Sequence, residues 1–209
     1  MTASKTPHRG KSSRSRLLDL ARRRPFLRAR DATALGIHTE TLTRMARAGE
    51  LERAGSGRYR LATRDVSENH ALVLAASAVS AGAVCLTSAL RFHNIGAQVP
   101  GEVWIAVPRG TRIPTISYPP LRIIRVSRAL FDLGIEQHRL EGQTVQIYSI
   151  ARTVADCFRF RNTVGLDVAL EALSEAWRGK RLNLDELNRI AKRLRVQRVM
   201  QPYLETVVL

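Results

Sequence analysis

The chain has 209 residues, 44% of them apolar, which can supply the hydrophobic cores of one small and one larger domain. Its two cysteines, Cys85 and Cys157, lie in apolar stretches, which excludes a disulfide scaffold or a cysteine-rich zinc site and fits a reducing compartment. No apolar run approaches the roughly 18 to 20 residues that span a bilayer, and the basic start lacks the apolar stretch of a secretion signal. We therefore expect a cytoplasmic protein without a membrane partner.

The positive charge is concentrated in the first third of the chain. The formal net charge is +16, and residues 1–64 hold 16 lysines and arginines against 5 acids, whereas residues 65–209 hold 18 against 13. An arginine-rich genome also yields basic surfaces, but it does not explain this clustering. The sequence therefore predicts that the N-terminal third faces a polyanion.

The first elements in chain order are a tail, a helix and a strand. Residues 1–14 are rich in Ser, Lys, Arg and Gly, which predicts a disordered basic tail. A short basic helix is predicted from Ser15 to Arg24, with leucines on one face, and Pro25 ends it. Phe26 to Ala29 is predicted to be a brief strand.

The following segment has the pattern of a helix-turn-helix. Asp31 is placed as the cap of a helix that runs to Leu35 and stops at Gly36. The chain then turns and enters a second helix near His38 or Thr39. Such a pair of helices is typical of proteins that insert the second helix into the major groove.

The second helix of this pair is predicted to present polar residues outward, because Leu42, Met45 and Ala46 recur at helical spacing. Its N-terminal half would reach base edges. The residues predicted to read bases are Thr39, Glu40, Thr43 and Arg44. Arg47 is predicted to meet a phosphate.

A two-stranded wing is predicted after Gly49, from Leu51 to Leu61, turning at Gly55-Ser56-Gly57. Arginines alternate with apolar residues along it, so they should flank the duplex and neutralise phosphates. The wing arginines assigned to this role are Arg53, Arg58 and Arg60. Residues 15–64 are thus predicted to be a winged helix-turn-helix domain.

Residues 65–209 are predicted to form a larger domain in which helices back a small mixed or antiparallel sheet. The predicted strands are Val103–Val107, Leu121–Val126, Ile135–Leu140 and Thr144–Ile150. A hairpin at Glu141-Gly142-Gln143 joins the last two, and Thr87 or Ser88 is expected to cap a short helix. The remainder is predicted to be helical, which makes the fold class α+β.

Polar residues in the larger domain do not form a catalytic motif. A restriction-type nuclease usually has an acid two positions before a lysine, and the four lysines of this chain lack it. We expect no enzyme activity, catalytic residue, metal ligand or cofactor. The residues that invite an enzymatic interpretation are Asp132, Glu136, His138 and Asp156. Asp156 is more simply explained by an ion pair with Arg152, four residues earlier on one helix face.

The order of these segments resembles the AbiEi family of antitoxins from bacterial type IV toxin–antitoxin systems. The resemblance is carried by FLRARDATALGIHTETLTRMARAGELERAGSGRYRLA, LTSALRFHNIG, VWIAVPRGT and IYSIARTVADCFRF, between about Ser15 and Trp177. It implies a winged-helix domain that binds operator DNA, often as inverted repeats, and represses the operon of both proteins. It also implies a C-terminal domain that counters a nucleotidyltransferase-like toxin without a stable complex. Inverted repeats favour two protomers on DNA.

We therefore predict a DNA-binding transcriptional repressor of antitoxin type. The alternative is a protein-interaction module that neutralises a partner without sequence-specific DNA binding, because winged helices also serve as docking modules. A steep salt dependence of binding to random duplex DNA favours the repressor, and a near-zero slope favours the docking module. A nucleic-acid-processing enzyme would instead require metal-dependent turnover.

Overall fold

The computed structural model describes residues 12–24, 26–55, 57–62, 67–116 and 118–208. These residues form two compact units, and the chain passes from one to the other between Ala62 and Ser67. The C-terminal unit comprises Ser67–Leu140 and the chain from Thr144 onward. Both units combine helices with a small sheet, so the α+β class is confirmed.

The N-terminal unit is a helical module with a three-stranded sheet. Its elements are α1 (Ser13–Arg23), β1 (Leu27–Arg28), α2 (Ala29–Ala34), α3 (Glu40–Arg47), β2 (Leu51–Arg53) and β3 (Arg58–Leu61). The sheet is antiparallel, with β3 between β1 and β2. Eight buried apolar residues of this unit form a cluster to which every helix contributes: Leu17, Ala21, Leu27, Ala32, Ile37, Leu42, Met45 and Leu51.

Helix α1 begins earlier than the sequence predicts. Ser12 accepts a hydrogen bond from the Ser15 backbone N–H at 3.2 Å and caps the helix. Arg14, which we assigned to the disordered tail, lies in this helix and pairs with Glu50 at 2.6 Å. The tail prediction is therefore wrong for residues 12–14, and residues 1–11 lie outside the described part of the chain.

Asp31 stabilises the start of α2 from inside the helix. The helix begins at Ala29, and the Asp31 carboxylate accepts the Arg28 backbone N–H at 2.7 Å. The predicted position of Asp31 as the capping residue is therefore wrong, because an acid in the first turn can reach back to the same N–H groups.

The C-terminal unit contains a mixed five-stranded sheet of order β6-β5-β4-β8-β7. Its strands are β4 (Ala83–Val84), β5 (Val103–Pro108), β6 (Leu121–Val126), β7 (Ile135–Leu140) and β8 (Gln143–Tyr148). Its helices are α4 (His70–Ala78), α5 (Leu86–Phe92), α6 (Arg128–Phe131), α7 (Ile150–Arg159), α8 (Arg161–Val164), α9 (Leu166–Arg178), α10 (Leu184–Leu194) and α11 (Gln197–Val208). Strands β5 and β6 are parallel, as are β4 and β8, whereas β4 and β5 are antiparallel.

The four predicted strands are confirmed with small shifts at their ends. The hairpin between β7 and β8 turns on Glu141 and Gly142, whose φ angles of 48° and 79° suit a two-residue turn. The predicted cap of α5 is wrong, because Cys85 occupies that position. Ser88 instead accepts the Trp104 backbone N–H at 3.0 Å and so fastens α5 to β5.

Helix α7 carries a fully buried ion pair. Arg152 is 0% exposed and donates from Nε to the Asp156 carboxylate at 2.8 Å. Its Nη1 donates to the backbone carbonyls of Leu130 and Leu133 at 2.6 and 2.8 Å, and its guanidinium lies 4.1 Å from the centroid of the Tyr148 ring. The expected pairing of Asp156 with Arg152 is confirmed.

Two histidines of the C-terminal unit, His93 and His138, occupy hydrogen-bonded positions. His93 is buried and donates from Nε2 to the Tyr148 carbonyl at 2.8 Å, and burial lowers the pKa of its imidazole. His138 lies 2.9 Å from Glu136 through its Nε2. Among the described residues, no three His, Cys, Asp or Glu side chains are grouped to hold a metal ion. In the same part of the chain, no helix has the length and apolarity required to traverse a bilayer.

Candidate nucleic-acid interface

The turn between α2 and α3 fixes the orientation of α3. Gly36 adopts a φ of +68°, a left-handed conformation that favours glycine. The backbone N–H of Ile37 then donates to the Ala32 carbonyl at 2.9 Å, and the Ile37 side chain enters the core of the unit. Ile37 is thus anchored two residues before the N-cap of α3, and together with the buried Leu42 and Met45 it orients that helix on the core.

Helix α3 turns its apolar side inward and its charged side outward. Leu42 and Met45 are buried, whereas Glu40, Arg44 and Arg47 are exposed. Thr39, the residue before the helix, is exposed, and Thr43 is half-buried. The faces of the helix are therefore as the sequence predicts, and the assignment of these residues to DNA stays a prediction.

The wing is the hairpin of β2 and β3. Its register places Glu52 opposite Arg60, and Arg53 opposite Tyr59. Directly opposed residues of an antiparallel pair share a face of the sheet. Arg53 therefore lies on the side of Tyr59, whereas Arg60 lies on the other side.

Arg58 does not lie where the sequence predicts. Its side chain is only 4% exposed, and its guanidinium lies 5.8 Å from the centroid of the Phe26 ring. In the sheet it is opposite Arg28, and burial, followed by the charge of Arg28, lowers its pKa. The expectation of an exposed Arg58 is wrong, because β1 pairs with β3 and brings Phe26 and Arg28 next to the Arg58 side chain.

Arg60 is largely neutralised by a neighbouring carboxylate. Its Nη2 lies 2.6 Å from Glu52, its Nε donates to the same oxygen at 3.0 Å, and its side chain is 16% exposed. An arginine held in such a two-bond pair offers little charge to a phosphate. Of the three predicted wing arginines, Arg53 alone is exposed.

Four acids of the N-terminal unit form ion pairs with arginines away from the outer face of α3, whereas Glu40 lies on α3 and is exposed. Four of its carboxylates form ion pairs within 3.2 Å: Asp19 with Arg22, Asp31 with Arg24, Glu50 with Arg14, and Glu52 with Arg60. In contrast, no carboxylate of the described residues lies within 4.0 Å of Arg44, Arg47 or Arg53. We call these three residues the open arginines. Their charge is uncompensated at short range, which concentrates positive potential on α3 and β2.

A groove of about 620 Å³ runs between the end of α3 and the wing. Arg47 lies on its helical wall and Arg53 on its strand wall, so two of the open arginines face one depression. Its other lining residues are Thr43, Ala46, Gly49, Leu51, Glu52 and Ala62. A concave surface with cations on both walls can hold a chain of phosphates.

Because Arg58 is buried and Arg53 is exposed, their replacement should affect the stability of the N-terminal unit differently. We expect Arg58→Ala to lower the free energy of unfolding of the N-terminal unit by about 1 to 3 kcal/mol, because it removes buried contacts of a charged group. Arg53→Ala should leave stability nearly unchanged, because its side chain is exposed. Thermal unfolding followed by circular dichroism measures both variants, and equal midpoints would contradict the buried position of Arg58.

Two comparisons place the chain among known proteins. Residues 15–62 match the family model described as "Transcriptional regulator, AbiEi antitoxin". The fold resembles the crystal structure of the RV2827C protein from Mycobacterium tuberculosis, with a TM-score of 0.60 and 15% sequence identity over 88% of this chain and 72% of that one. No curated protein sequence matches. The family match covers residues 15–62, which are therefore similar to the AbiEi antitoxin family of transcriptional regulators, and the segments after residue 62 lie outside it.

Proposed function

We propose that the chain is a transcriptional repressor that binds operator DNA through α3 and the wing. The observation that carries this proposal is the set of open arginines, which lie beside the outward face of a helix fixed by a helix-turn-helix. Nonspecific binding to DNA depends chiefly on such uncompensated cations. Sequence recognition depends on side chains that reach base edges.

The proposed interface divides into two groups of residues. On the outer side of α3, the base-reading group is Thr39, Glu40, Thr43 and Arg44. Arg47 and Arg53, on opposite walls of the groove, are assigned to the phosphates of one strand. Arg60 contributes less because Glu52 neutralises it, and Arg58 is left out because it is buried.

The same proposal assigns the chain to a type IV toxin–antitoxin pair. Its support is the match of residues 15–62 to antitoxin regulators. The functional partner would be a nucleotidyltransferase-like toxin, and operator half-sites in inverted repeat would place two protomers on DNA. Major-groove helices of such a pair lie about one helical turn apart, roughly 34 to 36 Å.

The salt dependence of duplex binding tests the proposal. For the two phosphate contacts of Arg47 and Arg53, the logarithm of the association constant should fall against the logarithm of salt concentration with a slope of about −2. Fluorescence anisotropy of the full chain with a random 30-base-pair duplex, from about 50 to 300 mM salt, measures this slope. A slope near zero would instead favour the protein-interaction module. Tighter binding to the fragment upstream of its own reading frame than to the random duplex is the second expected result.

A further inference from the structure

Tyr59 connects the base-reading helix to the wing. It lies on the central strand β3, opposite Leu27 on one side and Arg53 on the other. Its hydroxyl oxygen is 3.2 Å from Thr43 Oγ1, and either group can be the donor. Both side chains are half-buried, so the bond lies at the margin of the core and next to solvent.

The ring of Tyr59 contacts a second residue of the proposed interface. The Arg53 guanidinium carbon lies 5.8 Å from the ring centroid, within the range of a cation–π interaction. One tyrosine therefore touches a proposed base-reading residue through its hydroxyl and a proposed phosphate contact through its ring. Arginines alternate with Tyr59 and Leu61 along β3, which predicts that Tyr59 faces inward. The sequence does not show which residues the Tyr59 side chain contacts.

We propose that Tyr59 is a positioning residue that sets the sequence preference of the interface by fixing the Thr43 side chain. This inference rests on the proposed function. Tyr59 itself does not contact a base. Its hydroxyl affects discrimination between base pairs through Thr43, and its ring affects the general affinity for DNA through Arg53.

The physical basis is the freedom of a threonine on a helix. Its hydroxyl can bond to a backbone carbonyl of the preceding turn in one rotamer and point away in another. A bond to Tyr59 holds the hydroxyl and the methyl group at fixed positions before DNA arrives. Threonine contacts bases through either group, and a contact that is already ordered loses less entropy on binding.

The test compares Tyr59→Phe with the wild-type chain on defined duplexes. A preferred site is first selected by the wild-type chain from a random duplex pool, and single base-pair variants of that site are then made. We expect Tyr59→Phe to lower the discrimination against the wrong base pair about 5- to 10-fold at one position per half-site. Affinity for random duplex and its salt slope should change less than about twofold, because the phenylalanine ring still supports Arg53.

The controls separate positioning from a structural role. Tyr118→Phe makes the same chemical change at an exposed tyrosine of the C-terminal unit and should change nothing. Thr43→Val removes the other hydroxyl at nearly constant shape. If Tyr59 acts through Thr43, the double variant discriminates no worse than Thr43→Val alone.

Three outcomes overturn the inference while leaving the proposed function intact. The first is full discrimination by Tyr59→Phe. The second is an equal loss of affinity for every duplex accompanied by a lower thermal midpoint, which indicates a structural role only. The third is additive effects of Tyr59→Phe and Thr43→Val. Failure of the wild-type chain to bind duplex with a salt-dependent affinity instead refutes the proposed function, and the inference with it.

Discussion

Replacement of all three open arginines, Arg44, Arg47 and Arg53, by alanine is expected to reduce affinity for operator duplex by about 100-fold or more at roughly 100 mM salt. A hydrogen bond to a charged group contributes about 1.5 to 3 kcal/mol, and every 1.4 kcal/mol is a tenfold change in affinity. Three such losses would sum to about 4.5 kcal/mol at the lower end of this range, but losses at neighbouring contacts are not additive, so the expected loss is set below that sum, at about 2.8 kcal/mol or more. Each lost phosphate contact should also reduce the salt slope by about one.

The three single variants are expected to differ from each other. Arg47→Ala and Arg53→Ala should weaken binding to all duplexes by similar factors, because phosphates carry no sequence information. Arg44→Ala should change the preference among duplexes more, because Arg44 projects from the outer side of α3 beside Thr43. Titration of each variant with the selected site and with random duplex measures the difference.

A matched triple variant controls for net charge. Arg178, Arg193 and Arg198 are exposed arginines on α9, α10 and α11 of the C-terminal unit, and their replacement by alanine removes the same three charges. If binding depended only on total charge, both triple variants would weaken it equally. That result would remove the reason for assigning the interface to α3 and the wing.

The faces of α3 could be predicted from sequence because they follow from local periodicity. The apolar residues Leu42 and Met45 recur at helical spacing, and this alone turns Arg44 and Arg47 outward. The bounds of β6 and β7 are also the predicted ones. For α3, the helix's own pattern decides which side is buried.

The position of Arg58 could not be predicted, because it depends on a distant strand. Alternation along β3 gives the side to which Arg58 points, but it does not show that β1 pairs with β3 and brings Phe26 and Arg28 to that side. The same limit applies to Arg60, whose charge is changed by Glu52 across the hairpin. The prediction from sequence therefore overestimated how many wing arginines are exposed, because Arg53 is exposed whereas Arg58 is buried and Arg60 is paired with Glu52.

The buried pair on α7 is expected to contribute most to the stability of the C-terminal unit among its ion pairs. Arg152 and Asp156 are 0% and 3% exposed, so neither charge is compensated by bulk water. Removal of one partner from such a pair typically costs about 3 to 5 kcal/mol, because the other charge remains buried alone. Arg152→Met also leaves the carbonyls of Leu130 and Leu133 without their donor. We therefore expect Arg152→Met to lower the free energy of unfolding of this unit by about 4 kcal/mol at pH 7.

The pH dependence of this loss identifies its cause. In the wild-type chain, burial raises the pKa of Asp156, and the adjacent Arg152 opposes that shift. Without Arg152 the pKa of Asp156 should rise further, so the native variant would hold a proton that the unfolded chain releases. Because the folded variant then binds more protons than the unfolded chain, its free energy of unfolding falls as the pH rises above the pKa of Asp156 in the unfolded chain. The cost of Arg152→Met should therefore be smaller at pH 5 than at pH 8.

Tryptophan fluorescence during urea unfolding measures this cost in the C-terminal unit alone, because both tryptophans of the chain, Trp104 and Trp177, lie in it. The matched control is Arg128→Met, which breaks an Arg–Asp pair of the same four-residue spacing whose side chains are 74% and 57% exposed. An exposed pair of this kind contributes at most about 1 kcal/mol, so the control should unfold near the wild-type midpoint. Equal costs for Arg152→Met and Arg128→Met would show that burial does not determine the strength of the pair. A large cost that is independent of pH would assign the effect to lost packing and carbonyl contacts, with Asp156 neutral in both proteins.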